Sequence, residues 1–292
     1  MSVSSIITDS PKISIITPCF NSIHTIRQTI ESVQSQNYSD FEHIVIDGGS
    51  KDGTLEIIKE YPHLIWVSEK DEGHYHAMNK GLAQASGELV VILNADDCFR
   101  PQALEKVVAA FQKNCEWDGL FADVIFVDGQ SREIYRRKEA RYDFKVLLYA
   151  LDYICHHTLF VKKEVYDQLG GYRHKDFLNS ADYEFKLRLG KSGCRIGHLC
   201  EFLVNYRYHS FGQSADVRIT RNMVKESAVI HREYGNPGGW RGKALKIFFK
   251  AKRQVQKLLI RGTCDLVPGT WWLKSHMREK TEFSSNSGLD KL

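Results

Sequence analysis

Long apolar runs are absent from this sequence of 292 residues. Residues 1–10 lack the basic start and apolar core of a signal peptide, and no later stretch offers the roughly 20 apolar residues that a membrane-spanning helix needs. We therefore expect a cytoplasmic protein that is not exported. The composition, 42% hydrophobic and 26% charged, is typical of a globular chain with a sizeable buried core.

Paired cysteine motifs are absent as well. The 7 cysteines form no C-x-x-C pair and no zinc-like cluster, a pattern that favours free thiols in a reducing compartment. Strong net charge is also missing, because +4 is too little to indicate a nucleic-acid partner. The charge is uneven, however, since Lys and Arg recur from Arg241 to Arg261 with no acidic residue between them.

Two common phosphate-binding loops are missing. Gly48, Gly49 and Gly53 lie in a turn after a predicted strand, but GGSKDG is not G-x-G-x-x-G. The stretch GLAQASG at 81–87 has no Lys-Ser/Thr after it, so it is not a Walker A loop. A dinucleotide-binding fold and a P-loop enzyme are therefore both poorly supported.

What the sequence does contain is a repeated unit of a strand followed by a helix. KISIIT at 12–17 is a short β-branched run that stops at Pro18, and Asn21 or Ser22 is expected to cap the helix that follows. Three more units have strands at 42–46, 64–67 and 88–93, with helices from Thr54, around 76–85 and from Pro101. This alternation predicts an α/β fold with a Rossmann-like, mostly parallel sheet covered by helices.

After residue 114 the rhythm changes. A strand is expected at 119–127, then a charged hairpin, less regular structure to 208 and a helix at 215–234. GNPGG at 235–239 is the clearest break in the chain. The predicted organisation is a disordered start at 1–10, a catalytic domain at 11–239 with a nucleotide-binding half (11–114) and an acceptor half (115–239), a basic amphipathic helical extension at 240–280, and a disordered tail at 281–292.

Acidic residues follow three of the four predicted strands. They are Asp47, Glu69 with Asp71, and Asp96 with Asp97. Because ligands of an open parallel sheet bind beyond the carboxyl ends of its strands, we expect these acids to meet in one cleft. The alternative is that each acid caps a helix or shapes a turn, as Asp commonly does.

The stretch LNADD at 93–97 offers several oxygen ligands in one loop. Mg²⁺ and Mn²⁺ prefer oxygen ligands and readily accept one or two carboxylates together with phosphate oxygens. A cation held here would neutralise the charge that grows on a nucleoside diphosphate as a bond to it breaks. We therefore predict a divalent cation, Mn²⁺ or Mg²⁺, as the cofactor.

Four stretches carry a family resemblance. They are TPCFNS at 17–22, VIDGGSKDGT at 45–54, SEKDEGHYHAMNKG at 68–81 and GELVVILNADD at 87–97. In order and spacing they resemble the family 2 glycosyltransferases of GT-A fold, above all bacterial enzymes of colanic acid, O-antigen and capsule assembly. The resemblance covers roughly residues 11–209. It implies an inverting transfer of a sugar from a UDP- or GDP-sugar to a hydroxyl of a glycan acceptor.

The resemblance also assigns roles to single residues. It implies that Asp47 contacts the base, and that the cation is held by Asp96, with Asp97 as a weaker ligand. The nucleotide site that it implies consists of Pro18, Asn21, Asp47, Asp71, Lys80 and Asn94. Two residues depart from the family pattern, since Asn94 stands where many members carry Asp, and His76 where close relatives have Asp. An amide adds no charge, so the cation rests mainly on Asp96.

By the same resemblance, an acidic pair before a helix of the acceptor half supplies the catalytic base. In NSADYEFKLR at 179–188 the matching residue is Asp182, although Ala181 stands where the family has Glu. Apolar and polar residues alternate here as in a strand, but Ser180 as a cap and a Gly-containing stop favour a helix. In a helix Glu184 pairs with Arg188 four residues later, which leaves Asp182 as the base.

Three histidines are weaker candidates. CHHTLFVKKEVYDQLGGY at 155–172 resembles the segment that borders the acceptor pocket, so His156 or His157 is expected to touch the acceptor. The alternative is a structural pair, since tandem His without a third ligand is poor evidence for zinc. His209 in YRYH at 206–209 resembles a late His that reaches the metal-bound diphosphate in some relatives, and the alternative is that it ends an edge strand.

The extension carries a cationic amphipathic pattern. Apolar residues recur at helical spacing, while Lys and Arg fill the rest of the helix; the stripe is Ala244, Phe248, Ala251, Val255 and Leu259, widened by Leu245, Phe249 and Leu258. With the Trp pair at 271–272, this pattern is typical of a helix on an anionic membrane. We expect docking through 241–272 on the inner face of the plasma membrane, beside an acceptor on a polyprenyl lipid. The alternative is packing against the domain or a partner protein.

Two other functions stay open at this point. A nucleotidyltransferase would also use a cation and carboxylates on such a sheet, but it usually needs a Gly-rich basic loop near the first strand, which PCFNS at 18–22 lacks. A non-catalytic binding module of the same fold would account for Asn94 and for the missing acid before Asp182.

Overall fold

The computed structural model describes residues 7–8, 10–208 and 217–261. Its strands are β1 (Ile13–Cys19), β2 (Phe41–Asp47), β3 (Ile65–Ser68), β4 (Leu89–Ile92), β5 (Cys98–Phe99), β6 (Gly119–Val127), β7 (Glu133–Arg137), β8 (Phe160–Lys162) and β9 (Ile196–Arg207). Its helices are α1 (Ile26–Gln34), α2 (Thr54–Lys59), α3 (His74–Gln84), α4 (Ala103–Lys113), α5 (Phe144–Tyr149), α6 (Lys163–Leu169), α7 (Ala181–Lys191), α8 (Val217–Glu233) and α9 (Gly239–Arg261), with a 3₁₀ turn at His156–Thr158. The predictions for His209, for residues 1–6 and 9 and for residues 262–292 fall outside the described ranges.

The strands form one sheet in the order β3-β2-β1-β4-β8-β6-β9-β5, with β7 paired to β6. β3, β2, β1 and β4 are parallel neighbours, and β6 and β9 form a second parallel pair. β8 is antiparallel to both β4 and β6, so these two groups run in the same direction. The prediction of an α/β fold with a mostly parallel sheet is confirmed.

Apolar side chains cover both faces of this sheet. All seven residues of β1 are buried. Ile16 belongs to one core cluster with Met78 of α3, whereas Ile13 and Ile15 belong to another with Val107 of α4. Since successive side chains of a strand point to opposite faces, these helices lie on opposite sides of the sheet. The loops after β1, β2, β3 and β4 therefore emerge along one edge.

Two local predictions were wrong. α1 begins at Ile26 after Thr25, and not after Asn21 or Ser22. Asn21 has a left-handed φ of 49°, and the N–H of Ser22 donates to Oγ1 of Thr54 at 2.7 Å, so these residues are bound to the turn after β2. The segment before residue 208, expected to be less regular, contains the 12-residue strand β9.

The helix predicted around residue 182 is confirmed as α7. Ser180 takes the N-cap position, although its side chain makes no cap hydrogen bond. The alternating pattern arises because the helix is enclosed on most sides, which is typical of apolar residues placed all round a helix. Its buried residues are Ala181, Tyr183, Glu184, Phe185, Lys186, Leu187 and Leu189.

The last two described helices pack on the acceptor half. α8 agrees with the helix predicted at 215–234, and Gly235 and Gly238, with φ of 86° and 64°, separate it from α9. The ring of Phe249 in α9 stacks on Tyr149 of α5 at 5.2 Å between centroids. Within the described ranges, no helix combines the length and apolar character needed to cross a bilayer.

Candidate functional site

Asp47 ends β2 and is buried. Its carboxylate accepts hydrogen bonds from the N–H groups of Gly49 at 3.2 Å and Ser50 at 3.0 Å. The hydroxyl of Ser68 donates to it at 2.6 Å, and the hydroxyl of Ser50 donates to it as well. Asp47 therefore fixes the turn after β2 and joins it to the end of β3, while its contact with a base stays a prediction.

The loop after β1 lies against the same turn. The N–H of Asn21 donates to Oγ of Ser50 at 2.7 Å, and Oδ1 of Asn21 accepts from the N–H of Lys51 at 3.1 Å. Asn tolerates the left-handed backbone found here better than most residues do. Pro18 is buried within β1, and the neighbouring ring of Phe20 is 62% exposed. The two predicted nucleotide loops are thus built against each other.

Asp71 and Lys80 border these loops. A Cβ on Gly48 would lie 2.7 Å from Oδ2 of Asp71, so glycine at this position lets the carboxylate approach the turn after β2. The other oxygen of Asp71 accepts from the N–H of Gly73 at 2.8 Å. The ammonium of Lys80, on α3, pairs with Glu69 at 2.8 Å. The acids after β2 and β3 therefore share one side of the cleft.

Cys19, the last residue of β1, links this group to the loop after β4. Its thiol lies 3.7 Å from Oδ1 of Asp47, and its side chain shares an apolar cluster with Ala95. Burial raises the pKa of Cys19, and the charges of Asp47, Asp52 and Asp71 raise it further. The loops that hold Asp47, Asp71 and Asp96 are thus neighbours at one edge of the sheet.

Arg207, the last residue of β9, holds the loop at 93–97 in place. Oδ1 of the buried Asp97 accepts from the N–H of Arg207 at 2.7 Å, and the carbonyl of Asp97 accepts from the hydroxyl of Thr29 at 2.8 Å. The guanidinium of Arg207 donates to the carbonyl of Asp96 at 3.0 Å. Burial, followed by the charge of Asp96, raises the pKa of Asp97, and Arg207 opposes this shift.

This loop fits a divalent cation. Oδ1 of Asn94 and Oδ2 of Asp97 are buried oxygens that accept no well-aligned hydrogen bond from the described residues, Nδ1 of His157 lies 3.2 Å from Oδ2 of Asp97, and the half-buried Asp96 lies between the two residues in the chain. A cation would satisfy oxygens whose burial is otherwise costly. The described ranges contain no cluster of three or more His, Cys, Asp or Glu that suits a metal. Mg²⁺ and Mn²⁺ commonly complete their coordination with phosphate oxygens and water.

His74, the first residue of α3, is a site residue that the sequence analysis missed. Burial lowers its pKa to about 4, and the neighbouring His156 contributes to this shift. Asp182, Asp96 and Asn94 act on the same imidazole in the opposite direction. The imidazole is therefore neutral at pH 7, and its pKa is influenced both by the loop after β4 and by Asp182. The resemblance gave no signal for it, because position 74 belongs to none of the roles that the family pattern assigns.

Asp182 lies in the first turn of α7 with 13% of its side chain exposed. Oδ1 accepts from the hydroxyl of Tyr75 at 2.6 Å, and Oδ2 accepts from the ammonium of Lys186 at 2.9 Å. Nδ1 of His156 lies 3.5 Å from Oδ2. Burial acts to raise the pKa of Asp182, but Lys186, His156 and Tyr75 together hold it well below its usual range.

His156 and His157 connect the two ends of this site. Their ring centroids are 3.7 Å apart, and Nδ1 of His157 lies 3.2 Å from Oδ2 of Asp97. Burial, with His156 and His74 nearby, lowers the pKa of His157 well below its usual value. His157 is only 1% exposed, so it offers almost no surface to an acceptor, whereas His156 is 18% exposed beside Asp182. The acceptor contact of either residue stays a prediction.

His76 does not point to this group of residues. Its ring stacks on His174 at 4.9 Å between centroids, and its Nδ1 accepts from the N–H of Glu72 at 3.0 Å. The amide of Asn79 lies 3.0 Å from Nδ1 of His174. His76 therefore belongs to a rim between α3 and the loop after α6.

Comparison with known proteins assigns the chain. The model of the family described as "Glycosyl transferase family 2" matches residues 14–170, more than half of the chain. A PGL/p-HBAD biosynthesis glycosyltransferase of Mycobacterium bovis is 28% identical over 222 residues, covering 74% of this chain and 84% of that protein. An uncharacterized glycosyltransferase of Mycobacterium tuberculosis is 34% identical over 188 residues, covering 62% and 70%.

Solved structures show the same fold. S. aureus TarS 1-349 in complex with UDP has a TM-score of 0.56 at 21% identity, covering 77% of this chain and 71% of that one. The mannosyltransferase PcManGT from Pyrobaculum calidifontis, in complex with GDP-Man and Mn²⁺, has a TM-score of 0.55 at 17% identity, covering 96% and 76%. The expected GT-A-like architecture is confirmed. With the family match over residues 14–170, this chain belongs to glycosyl transferase family 2.

Proposed function

We propose that this glycosyltransferase moves a sugar from a nucleoside diphosphate sugar to an acceptor hydroxyl with inversion, using Asp182 as the general base. One observation carries the proposal: His156 lies 3.5 Å from Asp182, its ring centroid is 3.7 Å from that of His157, and His157 lies 3.2 Å from Asp97 of the loop after β4. The two histidines therefore connect a carboxylate at the start of α7 to the loop that suits a cation and a diphosphate. The family match argues against the alternative function, a nucleotidyltransferase.

The reaction would follow from this arrangement. The acceptor oxygen forms a bond to the anomeric carbon on the face opposite the diphosphate, and the bond from that carbon to the phosphate oxygen breaks. Asp182 takes the proton of the acceptor hydroxyl, and the nucleoside diphosphate leaves with the bonding electrons. Attack from the opposite face inverts the anomeric centre.

The proposed donor site is formed by the loops after β1, β2 and β3. Asn21, Asp47 and Asp71 line these loops, and Phe20 offers an exposed ring beside them. Structural neighbours were solved with UDP, with UDP-GlcNAc and with GDP-Man. We propose a UDP- or GDP-sugar as the donor of this chain, held with the help of Pro18, Lys80 and Asn94.

Asp96 would hold the divalent cation, assisted by the buried oxygens of Asn94 and Asp97. When bound, Mn²⁺ or Mg²⁺ would stabilise the negative charge that develops on the leaving diphosphate. Arg207 fixes the loop through the backbone carbonyl of Asp96 and the carboxylate of Asp97, so the oxygens are positioned before the ligand arrives. One neighbouring structure contains Mn²⁺ together with its nucleotide sugar.

The base is tested by the substitution Asp182→Asn with UDP-GlcNAc and GDP-Man as donors. Asn keeps the size of the side chain but cannot take a proton, so transfer of the sugar to an acceptor or to water, measured as release of nucleoside diphosphate, should fall by about 100-fold or more. Binding of the donor, measured by calorimetry in Mn²⁺, should change little. The control is Asp176→Asn, an exposed carboxylate that pairs with Arg173.

Wild-type turnover by the Asp182→Asn protein would remove Asp182 from the mechanism. Absence of any donor turnover in the wild-type protein, despite donor binding, would instead favour a non-catalytic binding module.

We also propose that α9 docks the enzyme on an anionic membrane that carries a lipid-linked acceptor, at the inner face of the plasma membrane. One edge of α9 packs on the domain at four-residue spacing, through Leu245, Phe249, Arg253 and Lys257. The guanidinium of Arg253 donates to both oxygens of the buried Glu139 at 2.6 and 2.7 Å. Packing on the domain, expected above as an alternative, therefore occupies only one edge of the helix.

The opposite side of α9 is an exposed apolar stripe. It runs through Trp240, Ala244, Ile247, Phe248, Ala251, Val255, Leu258 and Leu259, which recur at helical spacing over roughly 29 Å of helix. The exposed cations Arg241, Lys243, Lys246 and Lys250 flank it. Apolar residues in one stripe between cations suit insertion among anionic lipid head groups. Leu245 and Phe249, predicted to widen this stripe, belong to the packed edge instead.

A further inference from the structure

Lys186 is a buried cation in the second turn of α7. Its side chain is 2% exposed, and its ammonium donates to three oxygens. They are Oδ2 of Asp182 at 2.9 Å, Oδ2 of Asp152 at 2.5 Å and the carbonyl of Ile154 at 3.0 Å. One ammonium is thus shared between the base of the proposed function and a second carboxylate, Asp152, which lies before the 3₁₀ turn and is 33% exposed.

The charges of these three groups change when the base acts. Before transfer, two carboxylates and one ammonium give the cluster a net charge of −1. After Asp182 takes the proton of the acceptor, the cluster is neutral, and Lys186 still has an ionised partner in Asp152. Without Asp152, the same proton transfer would leave a buried ammonium with a neutral acid and a carbonyl, which is strongly unfavourable.

We infer that Asp152 and Lys186 act as a positioning pair for the general base: Lys186 orients the carboxylate of Asp182, and Asp152 keeps Lys186 paired while Asp182 becomes neutral. The inference rests on the proposed function, because it assumes that Asp182 accepts the proton. Asp152 follows α5 and precedes His156, so the segment that carries it leads directly to the site.

The other groups that face Asp182 do not replace Asp152. Tyr75 reaches it from α3 and His156 from the 3₁₀ turn, while the charge of Asp182 influences the pKa of His74 on α3 and of Tyr172 in the loop after α6. None of these four is an anion when the base is ionised. Arg137 influences Asp152 from β7. Burial and the charge of Asp182 raise the pKa of Asp152, and Lys186 opposes the rise.

These charges predict opposite effects on the pH profile of turnover. Protonation of Asp152, or its substitution by Asn, leaves Lys186 paired with Asp182 alone and lowers the pKa of that base. Asp152→Asn should therefore reduce kcat by about 10- to 100-fold and shift the acidic limb of the profile to lower pH. Lys186→Met removes the cation, raises the pKa of Asp182 and should shift the acidic limb to higher pH.

The test uses the full chain, Mn²⁺ and whichever of UDP-GlcNAc or GDP-Man binds, with water as acceptor and release of UDP or GDP as the readout. We expect lower kcat, unchanged donor KM and opposite shifts of the acidic limb for Asp152→Asn and Lys186→Met. Asp152→Glu should recover part of the lost kcat. Controls of the same chemistry are Asp167→Asn and Lys191→Met, both at exposed positions.

Thermal unfolding separates folding defects from the proposed role. If Lys186→Met fails to fold, Lys186→Gln replaces it, because Gln also removes the charge but keeps a hydrogen-bond donor. Wild-type kcat and an unshifted profile in Asp152→Asn, together with an inactive Asp182→Asn, would overturn this inference alone. Full activity of Asp182→Asn would overturn the proposed function and this inference with it.

Discussion

At the scale of single residues, the candidate site depends on small residues that leave room for the side chains around them. Gly48 is the clearest case, because a methyl group there would meet Oδ2 of Asp71 at 2.7 Å and Cδ2 of Phe20 at 3.3 Å. Both neighbours are side chains near the surface, so they would move aside rather than unfold the domain. They are also the groups that face the proposed nucleoside pocket.

The substitution Gly48→Ala should therefore weaken donor binding without a large loss of stability. We expect the dissociation constant for UDP or GDP in Mn²⁺, measured by calorimetry, to rise about tenfold, which corresponds to roughly 1.4 kcal/mol. Gly129→Ala is the control, since a Cβ there would meet nothing within 4 Å. Equal affinities in the two variants would argue against a role of the Asp71 side of the cleft in binding the nucleoside.

Some single residues of the site could be predicted from the sequence and others could not. Asp182 was found because the resemblance supplied a pattern, and the acids after the strands because parallel strands share an edge. Lys186 was missed because Lys is rarely buried and no local motif indicates the carboxylates that it meets. Its partner Asp152 is 34 residues away in the chain and is brought close only by the packing of α5 and α7.

At the scale of elements, α9 shows how one helix can serve two surfaces. The sequence predicted one apolar face, but the structure divides it between a packed edge and an exposed stripe. The sequence pattern alone does not predict this division, because it depends on the positions of Tyr149 on α5 and of Glu139 and Asp143, which contact α9. The regular elements around the site were easier to predict, because β1, β2 and β6 are apolar runs bounded by turn residues.

The exposed stripe predicts a specific dependence of membrane binding on side chains. The substitution Phe248→Ser should reduce binding of the full chain to vesicles that contain phosphatidylglycerol by about tenfold or more, because burial of an aromatic side chain contributes roughly 1.5–3 kcal/mol. Lys246→Ala and Lys250→Ala should each reduce it about fivefold, from roughly 1 kcal/mol per cation near an anionic surface.

Flotation of the proteins with vesicles measures this binding. Val224→Ser changes an exposed apolar residue on α8 and serves as the control, since Val224 is 67% exposed but lies outside the stripe. Binding of the wild-type protein to vesicles of phosphatidylcholine alone should be weak. Equal flotation of all variants, or none by the wild-type protein, would leave α9 as a surface for another protein instead.

At the scale of the whole molecule, the candidate site is a junction between the two halves of the chain. The hydroxyl of Tyr75, from residues 11–114, donates to Asp182, which lies 107 residues later in residues 115–239. Arg207 at the end of β9 holds the loop that follows β4. A ligand that binds at this junction touches both halves, so it should stabilise the fold as one unit.

Binding of cation and nucleotide should accordingly raise the unfolding temperature together. A ligand at 100 times its dissociation constant stabilises the folded state by about 2.7 kcal/mol, which for a domain of this size corresponds to an increase of about 5 °C or more. We expect this increase for UDP or GDP with Mn²⁺, and a much smaller one for nucleotide with EDTA, because no cation would then connect the loop of Asn94 and Asp97 to the diphosphate. The substitution Asp96→Asn should abolish the difference between Mn²⁺ and EDTA, while Asp128→Asn, near β7 and outside the loop, should retain it. An increase that is identical in Mn²⁺ and EDTA would show that the nucleotide binds without a cation at this loop.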